Sequence, residues 1–216
     1  MNMNSYPLVE IEHLTQDTFK IRVNKPDIPI KSGQCFNVGL DTLGINREYS
    51  MYSSADSKYL DFLIRSTEGG VISSALQKLN VGDFVEIDGA YGEFCLNEPI
   101  STKQKYLFIA TGTGIAPFHS FVQTWPEINY TLIHGIRHED EQYHFGDYSQ
   151  GCYHACISKP SDGSDSFRVT DYLLQNELSK DTLVYICGNR NMIVDSFEIL
   201  HSKGVTGDKI VTEVFF

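Results

Sequence analysis

The sequence predicts two domains, an antiparallel β-barrel at residues 1–100 followed by a five-stranded parallel α/β domain at residues 101–216. Short runs in the first half alternate apolar and polar residues, as half-buried strands do. In the second half, apolar runs alternate with helical patterns, which is typical of a parallel sheet with right-handed crossovers. A polar link at 97–105 separates the two patterns. Together these observations place a barrel before a doubly wound sheet.

The barrel half is predicted to contain six strands and one short helix. Pro26, Pro29 and Gly33 end the second strand region, Gly69-Gly70 precedes the helix, and Gly82-Asp83 forms a turn before the last strand. Many short strands with a single helix favour a small antiparallel barrel. The strands are predicted at 6–14, 18–24, 34–40, 47–53, 59–65 and 84–88, and the helix at 71–79.

The second half contains five apolar runs that are rich in β-forming residues. Helical patterns lie between them, one directly after the first run and ending near Trp125-Pro126, and another stopped by Gly204. Because ligands bind outside the carboxyl ends of parallel strands, this architecture indicates nucleotide binding. The strands are predicted at 106–110, 130–136, 153–158, 182–187 and 210–216, and further helices at 169–178 and 192–203.

Charge and composition exclude several classes of protein. The 216 residues carry 17 basic and 28 acidic side chains, so the net charge is 17 − 28 = −11, and no basic cluster stands out. Nucleic acid is therefore not expected as a partner, since phosphate neutralisation needs a basic face. No run approaches the roughly 18–20 apolar residues of a membrane span, and the first residues lack the features of a secretion signal. We expect a cytoplasmic monomer.

The cysteine and histidine spacing does not indicate a metal centre. The five cysteines form no CxxC pair, which argues against an iron–sulfur cluster within this chain. Four residues of strand would hold Cys152 and Cys156 about 13 Å apart, too far for a disulfide. Three histidines lie near an acidic run, but a strand and a following loop give them no common ligand face. These are His134, His138 and His144, with Glu139-Asp140-Glu141 between them.

Five short segments carry candidate chemistry, and each also has a plain structural explanation. Gly112 to Pro117, a GTGIAP sequence between a strand and a helix, offers backbone amides to a pyrophosphate, but also fits a tight turn. In Arg47 to Ser50, the arginine suits a phosphate and the tyrosine a planar ring, but both also fit an ordinary barrel strand. Gly69 to Ser73 is either a second anion cradle or a capped helix start.

Two further segments lie at strand ends of the second half. Cys187 to Met192 ends a strand and begins a helix, so Cys187 and Gly188 are expected beside Gly112 and Gly114, although a buried cysteine and a turn glycine are equally ordinary. Thr212 to Phe216 ends the sequence on two aromatic residues, which fit either a core strand or a stacking position over a flavin or nicotinamide ring.

In this order and spacing, the five segments resemble the ferredoxin–NADP⁺ reductase superfamily, particularly its compact bacterial ferredoxin or flavodoxin reductases without an iron–sulfur domain. Arg47 to Ser50 matches the RxYS motif, Gly69 to Ser73 the flavin-phosphate motif, and Glu213-Val214-Phe215 the terminal EVY motif. Phenylalanine replaces the terminal tyrosine, and Phe216 follows it. The resemblance covers residues 5 to 216.

The resemblance implies a barrel that binds FAD non-covalently and a second domain that binds NADP. Ser50, Cys187 and Glu213 would then be the catalytic residues. The implied FAD contacts are Arg47, Glu48, Tyr49, Ser50, Ile64, Gly69, Gly70, Val71, Ile72, Ser73, Phe215 and Phe216. The implied NADP contacts are Thr111, Gly112, Thr113, Gly114, Pro117, Arg137, Ser158, Lys159, Arg168, Cys187, Gly188, Asn189 and Met192. No metal is implied.

Three cations favour NADPH over NADH as the reductant. A 2′-phosphate requires arginine or lysine after the early strands of the nucleotide domain, and Arg137, Lys159 and Arg168 occupy such positions. Solvated surface charge is the alternative explanation.

The resemblance implies hydride transfer from NADPH to the flavin and single-electron transfer to a ferredoxin or flavodoxin. The reductase component of an oxygenase, a free-flavin reductase, or a flavin-binding electron-transfer subunit without nicotinamide turnover remain alternatives. Because such small acceptors are acidic, docking to this acidic chain requires a local basic patch. The candidates for that patch are Lys20, Arg22, Lys103 and Lys105.

Overall fold

A computed structural model describes residues 4–215, so the predicted role of Phe216 lies outside the described residues. The chain divides into two compact units. The barrel unit contains the chain up to Leu96 together with Ala116–Thr124, and the sheet unit contains Asn97–Ile115 and the chain from Trp125 onward. Within residues 4–215, no helix is both long and apolar enough to cross a membrane.

The barrel unit is built on six antiparallel strands, as the sequence predicts. Their order across the sheet is β4-β3-β6-β1-β2-β5. The second and fifth strands have the predicted bounds, while the fourth begins two residues earlier and ends three earlier. The strands are β1 (Asn4–His13), β2 (Thr18–Asn24), β3 (Cys35–Leu40), β4 (Ile45–Ser50), β5 (Tyr59–Arg65) and β6 (Phe84–Tyr91).

The two outer strands of this sheet approach each other and close it. Met51, just after β4, forms an isolated antiparallel bridge with Phe62 of β5, and the Tyr52 amide donates to the Asp61 carbonyl at 2.8 Å. Apolar side chains from every strand fill the interior, since alternate positions of each strand face inward. This core includes Phe19, Ile21, Val23, Phe36, Val38, Leu60, Phe62, Ile64, Val85 and Ile87.

Two helices belong to the barrel unit. The first, α1 (Val71–Leu76), is shorter than the predicted 71–79 because its last turn tightens. The Lys78 and Leu79 amides donate to Ala75 and Leu76, three residues back, as in a 3₁₀ turn. The second, α2 (Ala116–Thr124), lies after the GTG loop in sequence but groups with the barrel.

The outer face of the barrel carries a network of paired charges. Lys20, nearly buried, lies 2.6 Å from Glu12, and Arg22 makes two bonds of 2.7 and 2.8 Å to Asp61. The hydrogen bond to Asp61 raises the pKa of Arg22 against the opposing effect of burial. Both cations are thus already neutralised, and the expectation that Lys20 and Arg22 contribute to a basic docking patch is wrong. Lys103 and Lys105 are exposed.

The sheet unit contains five parallel strands in the order β11-β10-β7-β8-β9, which confirms the predicted fold class. The centre of the sheet is β7, and its neighbours on both sides are reached by crossovers. The strands are β7 (Lys105–Thr111), β8 (Asn129–Ile136), β9 (Tyr153–Ile157), β10 (Leu183–Gly188) and β11 (Ile210–Val214), and the helices of this unit are α3 (Val169–Gln175) and α4 (Arg190–Ser202).

An aliphatic cluster joins one face of this sheet to α3 and α4. It combines Ile109, Ile133 and Ile186 of the sheet with Leu173 and Leu200 of the helices, all fully buried or nearly so. The 3.6-residue spacing of apolar residues in both helices gives each a single buried face. Helix α3 ends at Gln175 rather than 178, because Asn176 adopts an extended backbone.

The crossover from β8 to β9 has no α-helix within the described residues. The acidic run Glu139–Glu141, interpreted from sequence as a solvated helix start, is a single 3₁₀ turn, and Glu141 is buried. Aromatic packing replaces a helix here, since Tyr148 stacks on Tyr153 at 5.1 Å and Phe145 meets the same ring edge-on.

Thr124, at the end of α2, ties this helix to the barrel. Its hydroxyl accepts the Ala55 amide at 3.0 Å, donates to the Ser120 carbonyl at 2.8 Å, and lies 2.5 Å from the Ser32 hydroxyl. One hydroxyl therefore links three segments of the barrel unit.

Replacing this hydroxyl by a methyl group should destabilise the barrel unit. Thr124→Val keeps the side-chain shape but leaves the Ala55 amide without its acceptor, which costs about 1–3 kcal/mol in the free energy of unfolding. Urea denaturation measures the loss. The matched control Thr124→Ser keeps the hydroxyl, so its free energy of unfolding should fall by less than that of Thr124→Val. Equal stability of Thr124→Val and the unmodified protein would contradict this account.

Candidate functional site

In the barrel unit, the first candidate residues lie on the edge strand β4. Arg47 and Tyr49 pair with Val38 and Phe36 of β3, so they share one face of the strand, and Glu48 and Ser50 lie on the other. Arg47 is exposed and donates to the Asn46 carbonyl at 2.8 Å. Tyr49 packs against the barrel core, and this burial raises its pKa to about 12 against the opposing effect of Arg47. An exposed cation thus lies beside a half-buried phenol ring.

The second group lies where Gly69 and Gly70 lead into α1, which contacts both β3 and β4. Gly69 has a φ of +76° and open space around its Cα, whereas a Cβ on Gly70 would lie 2.6 Å from the oxygens of Thr67 and Ser73. Glycine is required at Gly70 by close packing and at Gly69 by its backbone conformation. The turn therefore presents bare backbone beside Ser73.

Two of the residues predicted to contact FAD, Ile64 and Ile72, can reach a ligand only through their backbone atoms. The side chains of Ile64 and Ile72 are at most 2% exposed and belong to the barrel core. Val71, between Gly70 and Ile72, is 58% exposed.

In the sheet unit, the predicted GTG and CGN segments touch at the carboxyl ends of β7 and β10. A Cβ on Gly114 would lie 2.6 Å from the Cys187 carbonyl oxygen, and one on Gly188, whose φ is +138°, would lie 2.2 Å from the Thr111 hydroxyl. The same hydroxyl accepts the Asn189 amide at 2.9 Å. Only glycine permits this backbone approach, so the two loops hold each other in place.

The end of β11 joins this group. Cys187 pairs in register with Glu213, and the Phe215 amide donates to the Gly188 carbonyl at 2.9 Å. Cys187 is fully buried, and desolvation, with Glu213 adding to it, holds the thiol pKa well above its ordinary value. The cysteine is therefore a neutral thiol, with no thiolate character, beside a half-buried carboxylate.

The remaining predicted residues of these segments lie at the starts of helices or in a 3₁₀ turn. Pro117 is in the first turn of α2, as predicted. Asn189 caps α4, its side chain accepting the Asn191 amide at 2.9 Å, and Met192 in the first turn packs against the aliphatic cluster. Thr113 lies in the 3₁₀ turn Gly112–Ile115.

The residues predicted to bind a 2′-phosphate collect beyond β8 and β9. The Lys159 amide donates to the Arg137 carbonyl at 2.9 Å, and the Ser158 hydroxyl donates to the Ile136 carbonyl at 3.1 Å. Arg168 precedes α3, and its amide donates to Asp171 at 2.7 Å. Arg137, Lys159 and Arg168 are exposed, and within residues 4–215 none of their side chains forms a salt bridge.

Sequence analysis missed the position of His134, which it treated only as a rejected metal ligand. The imidazole is fully buried in β8, with Nε2 2.8 Å from the Gly112 carbonyl and Nδ1 2.8 Å from the Tyr153 hydroxyl. Burial lowers its pKa to about 4, so the ring is neutral near pH 7. The only signal in the sequence is a histidine inside an otherwise apolar strand. Among the described residues, no group of three or more His, Cys, Asp and Glu is arranged to hold a metal.

Comparison with known proteins agrees with both units. Residues 5–95 match the model of the oxidoreductase FAD-binding domain, and residues 108–197 match that of the oxidoreductase NAD-binding domain. The chain is 26% identical to a flavodoxin/ferredoxin–NADP reductase of Buchnera aphidicola, over 89% of this chain and 88% of that protein. It is also 26% identical to the toluate 1,2-dioxygenase electron transfer component of Pseudomonas putida, over 95% of this chain and 65% of that one.

One solved structure has the same fold as this chain, and the similarity extends over the full length of both chains. The ferredoxin NADP⁺ reductase of Neisseria gonorrhoeae, solved with bound FAD and NADP, superposes with a TM-score of 0.84, covering 100% of both chains at 23% identity. Together with the two domain matches, this fold shows that the chain belongs to the ferredoxin–NADP⁺ reductase superfamily and is an oxidoreductase flavoenzyme of that kind.

Proposed function

We propose that this protein takes a hydride from NADPH and passes single electrons to a ferredoxin or flavodoxin. The observation that carries the proposal is the contact of the Gly112–Gly114 loop with the Cys187–Asn189 turn, which builds a backbone-lined edge at the carboxyl ends of two adjacent parallel strands. That edge is where nucleotides bind in open α/β sheets. The names of the relatives from Buchnera aphidicola and Azotobacter vinelandii support the same activity.

The barrel residues suit FAD. Open space beside Gly69 leaves backbone accessible to a phosphate, Arg47 is an exposed cation, and Tyr49 offers a half-buried phenol ring that is neutral near pH 7. Ser50 follows on the same strand. In this proposal the FAD contacts are Arg47, Glu48, Tyr49, Ser50, the backbone of Ile64, and Gly69 to Ser73, with Phe215 covering the ring. When bound, FAD would supply a group that accepts a hydride and releases electrons one at a time.

The sheet-unit residues position the nicotinamide nucleotide for transfer of its hydride. Amides of the turn Gly112–Ile115 would hold the pyrophosphate, because unpaired N–H groups at the start of a helical turn attract anions. The neutral Cys187 thiol presents no charge that would repel the transferring hydride. Glu213 and Ser50 are the groups proposed to hold a proton near the reacting rings. Proximity is the main catalytic contribution.

NADPH is preferred in this proposal because three cations lie at one edge of the sheet. The backbones of Arg137 and Lys159 are joined by a hydrogen bond, and Arg168 is the N-cap residue directly before α3. Guanidinium groups make bidentate bonds to phosphate, which an unphosphorylated ribose does not offer.

The reductase component of an oxygenase is the second candidate for the physiological role. Its support is the match to an electron transfer component from Pseudomonas putida and a propane 2-monooxygenase reductase component from Rhodococcus jostii, of which the chain spans 65% and 62%. Within residues 4–215, none of the five cysteines forms a disulfide. In either role, electrons leave the flavin for a separate acceptor. A module without nicotinamide turnover is disfavoured by the intact GTG and CGN loops.

The first test is an anaerobic visible spectrum of the purified protein, followed by separate additions of NADPH and NADH. A yellow protein that bleaches faster with NADPH is expected, since bound FAD loses its visible absorption when it accepts the hydride. Oxidised ferredoxin or flavodoxin, added after the bleaching, should then be reduced as it takes single electrons from the flavin, and the spectrum of the acceptor measures that reduction. A protein that cannot be loaded with FAD, or a yellow protein that neither nucleotide bleaches, would contradict the proposal.

Removing two of the three cations should weaken the binding of NADPH more than the binding of NADH. The double variant Lys159→Ala/Arg168→Ala should raise the KM for NADPH about tenfold, through loss of charge-assisted hydrogen bonds at exposed positions, and change the KM for NADH less than twofold. Steady-state kinetics with ferricyanide measure both. Lys105→Ala, which removes an exposed cation at the opposite end of β7, is the matched control. Equal changes for both nucleotides would refute the 2′-phosphate assignment.

A further inference from the structure

His134 lies on the strand next to the nucleotide loop, between two small neighbours. It pairs with Ala110 of β7 and Ala155 of β9, and these two methyl side chains leave room for the imidazole on that face of the sheet. Tyr153, two positions before Ala155, shares the same face. The ring is fully buried and contacts aromatic side chains, including Tyr143 at 6.0 Å. The histidine is thus enclosed, and among residues 4–215 its two nitrogens bond to the Gly112 carbonyl and the Tyr153 hydroxyl.

The two hydrogen bonds of His134 fix its tautomer. A carbonyl oxygen can only accept, so the bond of 2.8 Å to Gly112 requires the proton on Nε2. A neutral imidazole then has an acceptor at Nδ1, so the Tyr153 hydroxyl must donate the second bond, also of 2.8 Å. Burial raises the pKa of Tyr153 and lowers that of His134, so both groups stay neutral. A directed chain of hydrogen bonds runs from Tyr153 to His134 to Gly112.

The bond to Gly112 sets the direction of one peptide group in the loop. Gly112 begins the 3₁₀ turn Gly112–Ile115, and its φ of +53° is a conformation that glycine adopts without strain. The bond from His134 adds a side-chain donor to the backbone hydrogen bonds of that turn. The Gly112 carbonyl belongs to the same planar trans peptide as the Thr113 amide, and in such a peptide the C=O and N–H point in opposite directions. Holding the carbonyl on the imidazole therefore points the Thr113 N–H away from His134.

We infer that His134, held by Tyr153, is a positioning residue that orients the Gly112–Thr113 peptide to bind the nucleotide pyrophosphate. The inference rests on the proposed function, because it assigns the loop to that nucleotide. His134 does not touch the ligand in this account; it acts through the Gly112 carbonyl. Without the imidazole, the Gly112 carbonyl loses its side-chain donor, and only the backbone of the 3₁₀ turn Gly112–Ile115 holds the peptide with its N–H toward a phosphate.

Three substitutions separate this role from simple packing. The side-chain nitrogen of Gln occupies the position of Nε2 and can donate to Gly112, whereas that of Asn occupies the position of Nδ1 and cannot reach it. His134→Gln and His134→Asn are therefore a matched polar pair, and His134→Leu preserves bulk without any donor. Tyr153→Phe removes only the bond that supports the tautomer.

The first measurement is the Kd of NADP⁺ for each FAD-loaded variant, which is monitored through the flavin difference spectrum. The second is steady-state kinetics, which give the KM for NADPH and kcat with ferricyanide as the acceptor. His134→Asn and His134→Leu should raise Kd and KM about five- to twentyfold while kcat stays within about twofold, since one oriented hydrogen bond to an anion is lost. His134→Gln should recover to within about threefold of the unmodified protein, and Tyr153→Phe should raise Kd about two- to threefold. FAD content and the thermal midpoint report folding.

The outcomes distinguish the two proposals. If the unmodified, FAD-loaded protein does not bind NADP⁺, the proposed function fails. If it binds but folded Gln and Asn variants bind equally well or equally poorly, the positioning role of His134 is overturned and the proposed function stands. Should His134→Leu not fold, the Gln and Asn pair and Tyr153→Phe decide the question alone. A fall in kcat at constant KM would also overturn the inference, because it would place His134 in the chemical step.

Discussion

The close approach of two glycine-containing loops is the constraint on which the sheet unit's candidate site depends. Gly114 lies against the Cys187 carbonyl, and Gly188 against Thr111, so neither position has room for a side chain. Parallel strands β7 and β10 are hydrogen-bonded neighbours, and their ends therefore arrive side by side. The glycines turn this adjacency into backbone contact, and the hydroxyl of Thr111 adds a bond to Asn189. The predicted contacts to the 2′-phosphate lie apart from this pair of loops, beyond β8 and β9.

Two buried titratable side chains near these loops are uncharged, and two cations of the barrel unit are paired with carboxylates. His134 and Cys187 are fully buried and uncharged near pH 7, because desolvation opposes protonation of the imidazole and ionisation of the thiol. On the barrel, Lys20 and Arg22 are neutralised by carboxylates. In a chain with a net charge of −11, this leaves anion binding to backbone amides and to a few exposed cations such as Arg47, Lys159 and Arg168.

Much of the architecture follows from local sequence patterns. Alternation of apolar and polar residues predicted β2 and β5 with the observed bounds, since one face of each strand is buried in the barrel. The five apolar runs predicted the parallel strands to within two residues at each described end, and the signal is strongest for β7 and β10, which are buried on both faces. Motif order then placed the candidate residues on strand ends and turns, where the structure has them.

Features set by long-range contacts could not be predicted from the sequence. The bonds of His134 depend on Gly112 and Tyr153, which are 22 and 19 residues away, and a lone histidine in a strand does not reveal them. The pairing of Arg22 with Asp61 depends on the register of β2 against β5. The grouping of α2 with the barrel depends on Thr124 and its partners, since sequence order alone assigns this helix to the sheet unit.

Binding of NADP⁺ to the FAD-loaded Gly114→Ala variant tests the central claim most directly. A Cβ at this position would lie 2.6 Å from the Cys187 oxygen, so the loop must move, whereas Gly146→Ala, in the same unit, adds its Cβ to open space. The account predicts that Gly114→Ala raises the Kd for NADP⁺ about tenfold or more, since about 1.4 kcal/mol of lost binding suffices, while FAD content and the Gly146→Ala control stay unchanged. A folded Gly114→Ala protein that binds NADP⁺ as tightly as the unmodified one would contradict it.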